Sequence, residues 1–147
     1  MKWLLPPLLT LALLIVMALL SALVPEPSLL GKPVNNIGHA VIVAGILLIL
    51  GAAAQFRKVR TNISTFRKPD VLVTGGPFRV TRNPMYLGFV IILAGAAIAA
   101  DAAVALLPVA AFFTAANRWY IPFEERAAEQ AFGPAYADYR RRVRRWL

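Results

Sequence analysis

Residues 4–24 are nearly unbroken hydrocarbon, with Thr10 and Ser21 the only polar side chains. A helix of about 20 such residues crosses the hydrocarbon core of a bilayer. Three more apolar runs follow, at residues 37–56, 84–100 and 102–120. A soluble domain has no core large enough to hide them all. In lipid a backbone must satisfy its own hydrogen bonds, which leaves helices as the spanning element for runs of this length. The chain is therefore expected to be an all-α integral membrane protein with about four transmembrane helices. Lys2 ahead of the first run makes a cleaved signal peptide a rival reading. The run exceeds the usual apolar region of such peptides, roughly 7–15 residues, which favours an uncleaved first span.

Charge orients the spans. The chain carries 16 Lys and Arg against 7 Asp and Glu, a formal net charge of +9. Such basicity can signal nucleic-acid binding. Here the cations fall between and after the apolar runs, the positive-inside pattern of a membrane protein, and no nucleic-acid partner is expected. The loop after the first run balances Lys32 against Glu26 and suits the outer face. The loop after the second, with Arg57-Lys58-Val59-Arg60 and Arg67-Lys68, belongs in the cytoplasm, which puts both termini there. The last two runs are each short for an upright span, and Asp101 alone separates them. They read as a tight helical hairpin with Asp101 at its outer tip. Pro6, Pro7 and Pro84 fall in first helical turns, where a missing N–H costs little. Gly45, Gly51 and Ala52 to Ala54 supply small residues for close helix packing in the second span.

What chemistry remains is set by elimination. The chain has no cysteine, which excludes disulfides and thiolate catalysis, and its one histidine, His39, cannot build a metal site alone, so no metal is expected. Neither a Ser-His-Asp set nor a phosphate loop is present. Chemistry in which a cofactor carries the reactivity is left. Polar residues concentrate at residues 79–86 and 119–139, and a hairpin would bring these two clusters together. Val71-Leu72-Val73-Thr74 looks briefly strand-like, and Gly75-Gly76-Pro77 turns it, either as an ordinary turn or as a place where backbone approaches a ligand. Glu124 and Glu125 point about 100° apart on a helix, whereas Glu125 and Glu129 share a face. Acidic residues in a first turn complement the helix dipole. A pair of them amid arginines also suits a bound cation or an arginine partner, for which Arg82 is a candidate. In the tail, residues 121–147, Gly133-Pro134 breaks the chain into two helical pieces. The second sets Tyr136, Tyr139, Val143 and Trp146 on one face beside five arginines, as an interfacial helix on anionic lipid or simply a topology anchor.

Gly76-Pro77-Phe78-Arg79-Val80-Thr81-Arg82-Asn83-Pro84-Met85-Tyr86-Leu87-Gly88, then Glu124-Glu125, then Phe132 to Tyr139, resembles the isoprenylcysteine carboxyl methyltransferase and phospholipid methyltransferase group of integral membrane enzymes. The resemblance covers roughly residues 37–147. It implies a single membrane-embedded methyltransferase domain over residues 1–147, with a cytoplasmic interfacial C-terminal helical segment. It implies S-adenosyl-L-methionine as cofactor and methyl transfer to a carboxylate, amine or thiol acceptor. Carried onto this chain, Gly76, Arg82, Asn83, Pro84, Tyr86, Leu87, Trp119, Glu124 and Glu125 line the cofactor pocket, and Tyr136 and Tyr139 close over it. Arg82 and Glu125 are the residues to which a catalytic role falls. Asn83 stands where members often have histidine. It can still donate and accept hydrogen bonds but cannot act as a base.

Two readings are open. One is a methyltransferase whose partners are membrane lipids and a lipophilic or small-molecule acceptor. The other is a non-catalytic membrane scaffold, or a transport or assembly partner, on the same fold. Preserved packing alone does not require Arg82, Tyr86 and both glutamates, which favours the first.

Overall fold

In the computed structural model the described residues are 5–24, 27–59 and 71–147. The expectations for Lys2, for the Pro25-Glu26 break, and for the Arg60, Arg67 and Lys68 part of the basic loop lie outside them. Four apolar helical stretches cross the molecule. α1 (Pro6–Leu23) opens on its proline pair, and the Thr10 hydroxyl donates to the Pro6 carbonyl at 2.9 Å, satisfying a polar group inside an apolar helix. α2 (Ile37–Lys58) ends on two cations. α3 (Pro84–Ala100) begins with a proline. α4 (Leu106–Ala115) runs through a π turn, Ala116–Tyr120, into α5 (Ile121–Phe132), and α6 (Pro134–Arg142) follows. Leu8, Leu11, Ile15 and Leu19 of α1, Leu47 and Leu50 of α2, and Leu106 and Leu107 of α4 are all more than half exposed. So large an apolar surface is tolerable only against lipid.

α3 packs most closely against α2. Gly38 and Gly45 of α2 lie opposite Gly95 and Gly88 of α3, each pair seven residues apart along its helix. A Cβ at Gly45 would sit 2.8 Å from the Gly88 carbonyl oxygen, and one at Gly95 would sit 2.7 Å from that of Gly38. In lipid, where apolar burial gives no drive to associate, such contact supplies the attraction through dispersion and close backbone approach. α3 and α4 are joined by a short turn, as a hairpin requires, but the tight seam is the α2–α3 one. Leu93, Phe112 and Ile121 are fully buried at the centre, and Phe89 meets Phe112 edge-on at 5.8 Å.

Asp101 takes the left-handed conformation, φ 52°, where α3 ends. Its carboxylate accepts from the backbone N–H groups of Leu29, Leu30 and Gly31 at 3.0, 2.7 and 3.0 Å, and from the Ser28 hydroxyl. Three consecutive N–H groups form a nest for one anion. The tip residue thus ties the α1–α2 connection to the α3–α4 turn.

Three local expectations change. The helix that carries the fourth apolar run does not stop with it at residue 120, but continues without a break from Ala103 to Phe132. Pro122 would clash with the carbonyl four residues back in a regular helix, and the wider π turn just before it makes room. The Tyr136-Tyr139-Val143-Trp146 stripe is not one helix face, because α6 stops at Arg142 and Val143 is extended. Tyr136 and Tyr139 face inward, packed with Ala52, Val73 and Phe78. Residues 71–74 form no strand. Among the described residues the isolated β-bridge is a parallel one between Thr81 and Arg144. Gly133, at φ 47°, does break the tail into two helices.

Candidate active site

One end of the bundle gathers the start of α1, the end of α2, the start of α3, and α5 and α6 around a cavity of about 460 Å³. That volume lies within the usual range for small-molecule sites, roughly 300–1,000 Å³. Its wall is divided. Leu5, Pro6, Phe56, Leu72, Met85 and Phe89 make an apolar side, while Arg82, Glu124, Glu125, Tyr136 and Tyr139 make a polar one.

Arg82 precedes α3 and is only 9% exposed. Its Nη2 donates to Glu125 Oε1 at 2.7 Å, and its Nη1 donates to the carbonyls of Val143 and Arg140 at 2.7 and 3.2 Å. Its Nε–H is buried and meets no acceptor among the described residues. Glu125 also receives Arg145, from Nε to Oε1 at 3.2 Å and from Nη2 to Oε2 at 2.5 Å. Two guanidiniums on one carboxylate, with 12% of its side chain exposed, keep it ionised where a lone buried charge could not persist.

Glu124, one helical step away, accepts the Tyr86 hydroxyl at 2.8 Å. The 100° step between successive residues is what sends the two carboxylates to different partners. Tyr86 stacks on Tyr120 at 6.0 Å, and Tyr120 on Trp119 at 6.1 Å. The Tyr139 hydroxyl donates to the Phe78 carbonyl at 2.7 Å. Burial pushes that phenol far above its ordinary value and outweighs the Arg82 charge, so it stays a neutral donor. Burial likewise raises Tyr136.

Of the residues singled out in the sequence, Arg82, Asn83, Pro84, Tyr86, Glu124, Glu125, Tyr136 and Tyr139 all lie on this one cavity. Gly76, Leu87 and Trp119 do not line it. Gly76, at φ 57°, packs against the Gln55 side chain. Leu87 is half-buried on α3, and Trp119 is 44% exposed beside Tyr120. Asn83 is spent on structure: its Nδ2 donates to the Arg145 carbonyl at 2.9 Å and its backbone N–H to Thr81 Oγ1 at 3.1 Å. Sequence reasoning missed Arg145, Asn117 and the α1 residues on the apolar wall. Nothing local marks Arg145 off from the four other arginines of its run. The extended chain beyond α6, which turns it inward, is not encoded in any periodicity.

The sequence profile of the family described as phospholipid methyltransferase matches residues 34–135. Protein-S-isoprenylcysteine O-methyltransferase B of Arabidopsis thaliana is 29% identical over 117 residues, covering 75% of this chain. The chain spans 57% of that relative's length. No solved structure matches.

Proposed function

The chain belongs to the phospholipid methyltransferase family, and on that premise we propose that it transfers a methyl group from S-adenosylmethionine to a lipophilic or small-molecule acceptor at a membrane interface. The observation that carries this reading is the divided cavity, which offers charged and phenolic groups to a polar donor and an apolar wall to an acceptor reached from lipid.

The residues fit the donor's chemistry. Arg82 presents a buried guanidinium whose Nε–H lacks an acceptor among the described residues, as a partner for an amino-acid carboxylate would. Glu124 and Glu125 bring negative charge to the same wall, which favours an ammonium or a sulfonium. When bound, S-adenosylmethionine would supply a methyl group on a cationic sulfur that an acceptor lone pair displaces. The protein's part is then to align, to exclude water and to hold charge. Alignment alone can supply several kcal/mol of a displacement barrier, on the order of 7–11 in the best-oriented systems. Tyr86 holds Glu124, and Arg82 and Arg145 together hold Glu125, so neither carboxylate has to be ordered by the ligand. A general base is required only for an acceptor that arrives protonated.

The cavity end faces the cytoplasm in this proposal. Arg57, Lys58 and Arg79, together with the arginines after residue 139, lie at that end, and Asp101 lies at the other. The acceptor class is a carboxylate, amine or thiol carried on an apolar body, in keeping with the Leu5, Pro6 and Phe89 wall.

The test is calorimetric binding of S-adenosylmethionine and S-adenosylhomocysteine to detergent-purified protein, repeated in lipid nanodiscs. Saturable binding supports the reading. Folded protein that binds neither in either setting rules it out.

A further inference from the structure

Beyond α6, Val143 to Trp146 run back along the entry to α3. The Arg144 carbonyl accepts from the Arg82 backbone N–H at 2.9 Å. The Arg145 carbonyl accepts from Thr81 Oγ1 at 3.1 Å and Asn83 Nδ2 at 2.9 Å. Each of residues 81 to 83 is therefore tied to this strap. On its other side, Trp146 donates from Nε1 to Asn117 Oδ1 at 3.2 Å and stacks on Phe113 at 4.9 Å. Asn117 belongs to the π turn.

A terminal arginine in a run of five would ordinarily be solvated. Arg145 is 34% exposed and engages all three guanidinium nitrogens. Nε and Nη2 grip the two oxygens of Glu125, and Nη1 reaches Asn117 at 3.3 Å. Its neighbour Arg141, by contrast, is 75% exposed and pairs only with Asp138. Arg145 is absent from the cavity wall, whereas Glu125 and Arg82 are on it. The strap also lies wholly outside residues 34–135, the part of the chain that matches the family.

We propose that Arg145 is a positioning residue, which fixes the Glu125 carboxylate against Arg82, so that the methyl-donor wall is assembled only when the C-terminal strap is docked. The inference rests on the methyltransferase reading above. Its physical basis is the fork geometry of arginine. Arg82 reaches Glu125 through one nitrogen, which leaves the carboxylate free to swing about that single contact. A second guanidinium holding both oxygens removes the swing. Lysine, a point charge, replaces only part of this.

The experiment measures S-adenosylhomocysteine binding to the full-length protein by calorimetry, with a thermal melt of each variant. The variants are Arg145→Gln, Arg145→Lys, Glu125→Gln, the Arg145→Gln/Glu125→Gln double, and Arg141→Gln as a charge-matched control. Arg145→Gln is expected to weaken binding about tenfold or more, the scale of a lost charge-assisted contact. Arg145→Lys recovers part of the loss, and Arg141→Gln binds like the parent. The double variant loses no more than Glu125→Gln alone, because Arg145 acts through Glu125. A merely structural strap would lower the melt and give losses that multiply. Parent-like binding by folded Arg145→Gln, or multiplying losses, overturns the proposal. Should Arg145→Gln give no cooperative melt, Asn117→Ala, which touches neither Arg82 nor Glu125, carries the same cycle to the same two outcomes. A folded parent that binds nothing overturns the methyltransferase reading and this proposal together. A binding parent with unaffected variants overturns this proposal alone.

Discussion

Arg82 and Glu125 are 43 positions apart in the chain and 2.7 Å apart in space. Arg82 stands just before the start of α3, and Glu125 sits five residues past the π turn on α5. Their contact closes the polar wall of the cavity, and both side chains are nearly buried.

Replacing Glu125 with glutamine keeps the shape and removes the charge. Two guanidiniums are then left facing a neutral amide, one of them 9% exposed. Donor affinity is expected to fall about tenfold or more, and stability by about 2 kcal/mol. Calorimetry and denaturant titration in the same detergent check both.

At the glycine positions of the α2–α3 seam there is no room for a Cβ. In Gly45→Ala the new methyl would lie 2.8 Å from the Gly88 carbonyl oxygen and 2.8 Å from Ile92 Cγ1. The helices must separate, at a cost of about 1–3 kcal/mol. Gly51→Ala serves as the contrast, because its Cβ would rest 3.5 Å from Pro77. A thermal melt should drop for the first and hold for the second.

Asp101 makes stability acid-sensitive. The Ser28 hydroxyl and then the Leu30 N–H, with those of Gly31 and Leu29, hold its carboxyl below its ordinary value of 3.8 against a smaller opposing effect of burial. A folded value below the unfolded one means that the contribution is full above the unfolded value and is lost as pH falls through the folded one. Asp101→Asn should therefore be less stable than the parent at neutral pH. The gap should stay constant down to about pH 4 and close below it. Melts taken across that range read the effect directly.

Tyr139→Phe removes the hydroxyl that donates to the Phe78 carbonyl and leaves the ring in place. The carbonyl is then buried with one partner fewer, at a cost of about 1–2 kcal/mol. The phenol's raised value also predicts that absorbance near 295 nm shows no Tyr139 titration up to about pH 10, the ordinary tyrosine value.

Much of the site was legible from residue type and position. Glu124-Glu125 beside a surplus of arginine called for a cationic partner, and Arg82 is that partner. Gly133-Pro134 called for a break, and Gly133 makes it at φ 47°. The tail is less legible. Tyr136 and Tyr139 at helical spacing beside arginines are equally compatible with lipid and with protein. They turn inward because Ala52 and Phe78 offer them an apolar surface and Phe78 a carbonyl. At Pro122 the helix runs on, because the π turn before it removes the clash a proline would otherwise make there.

Hydrophobic run length and charge placement are local quantities, and they were enough to point to an all-α membrane protein of long apolar helices with the polar clusters at their ends. Which helix meets which is not local. The four glycines of the α2–α3 seam stand out only once antiparallel packing sets Gly38 against Gly95 and Gly45 against Gly88. The same holds for Arg145. Five arginines within six residues are alike in sequence, and only the extended backbone after Arg142 carries one of them to Glu125. Side-chain chemistry is written residue by residue, whereas the pairing of a carboxylate with its second guanidinium depends on where the chain turns back.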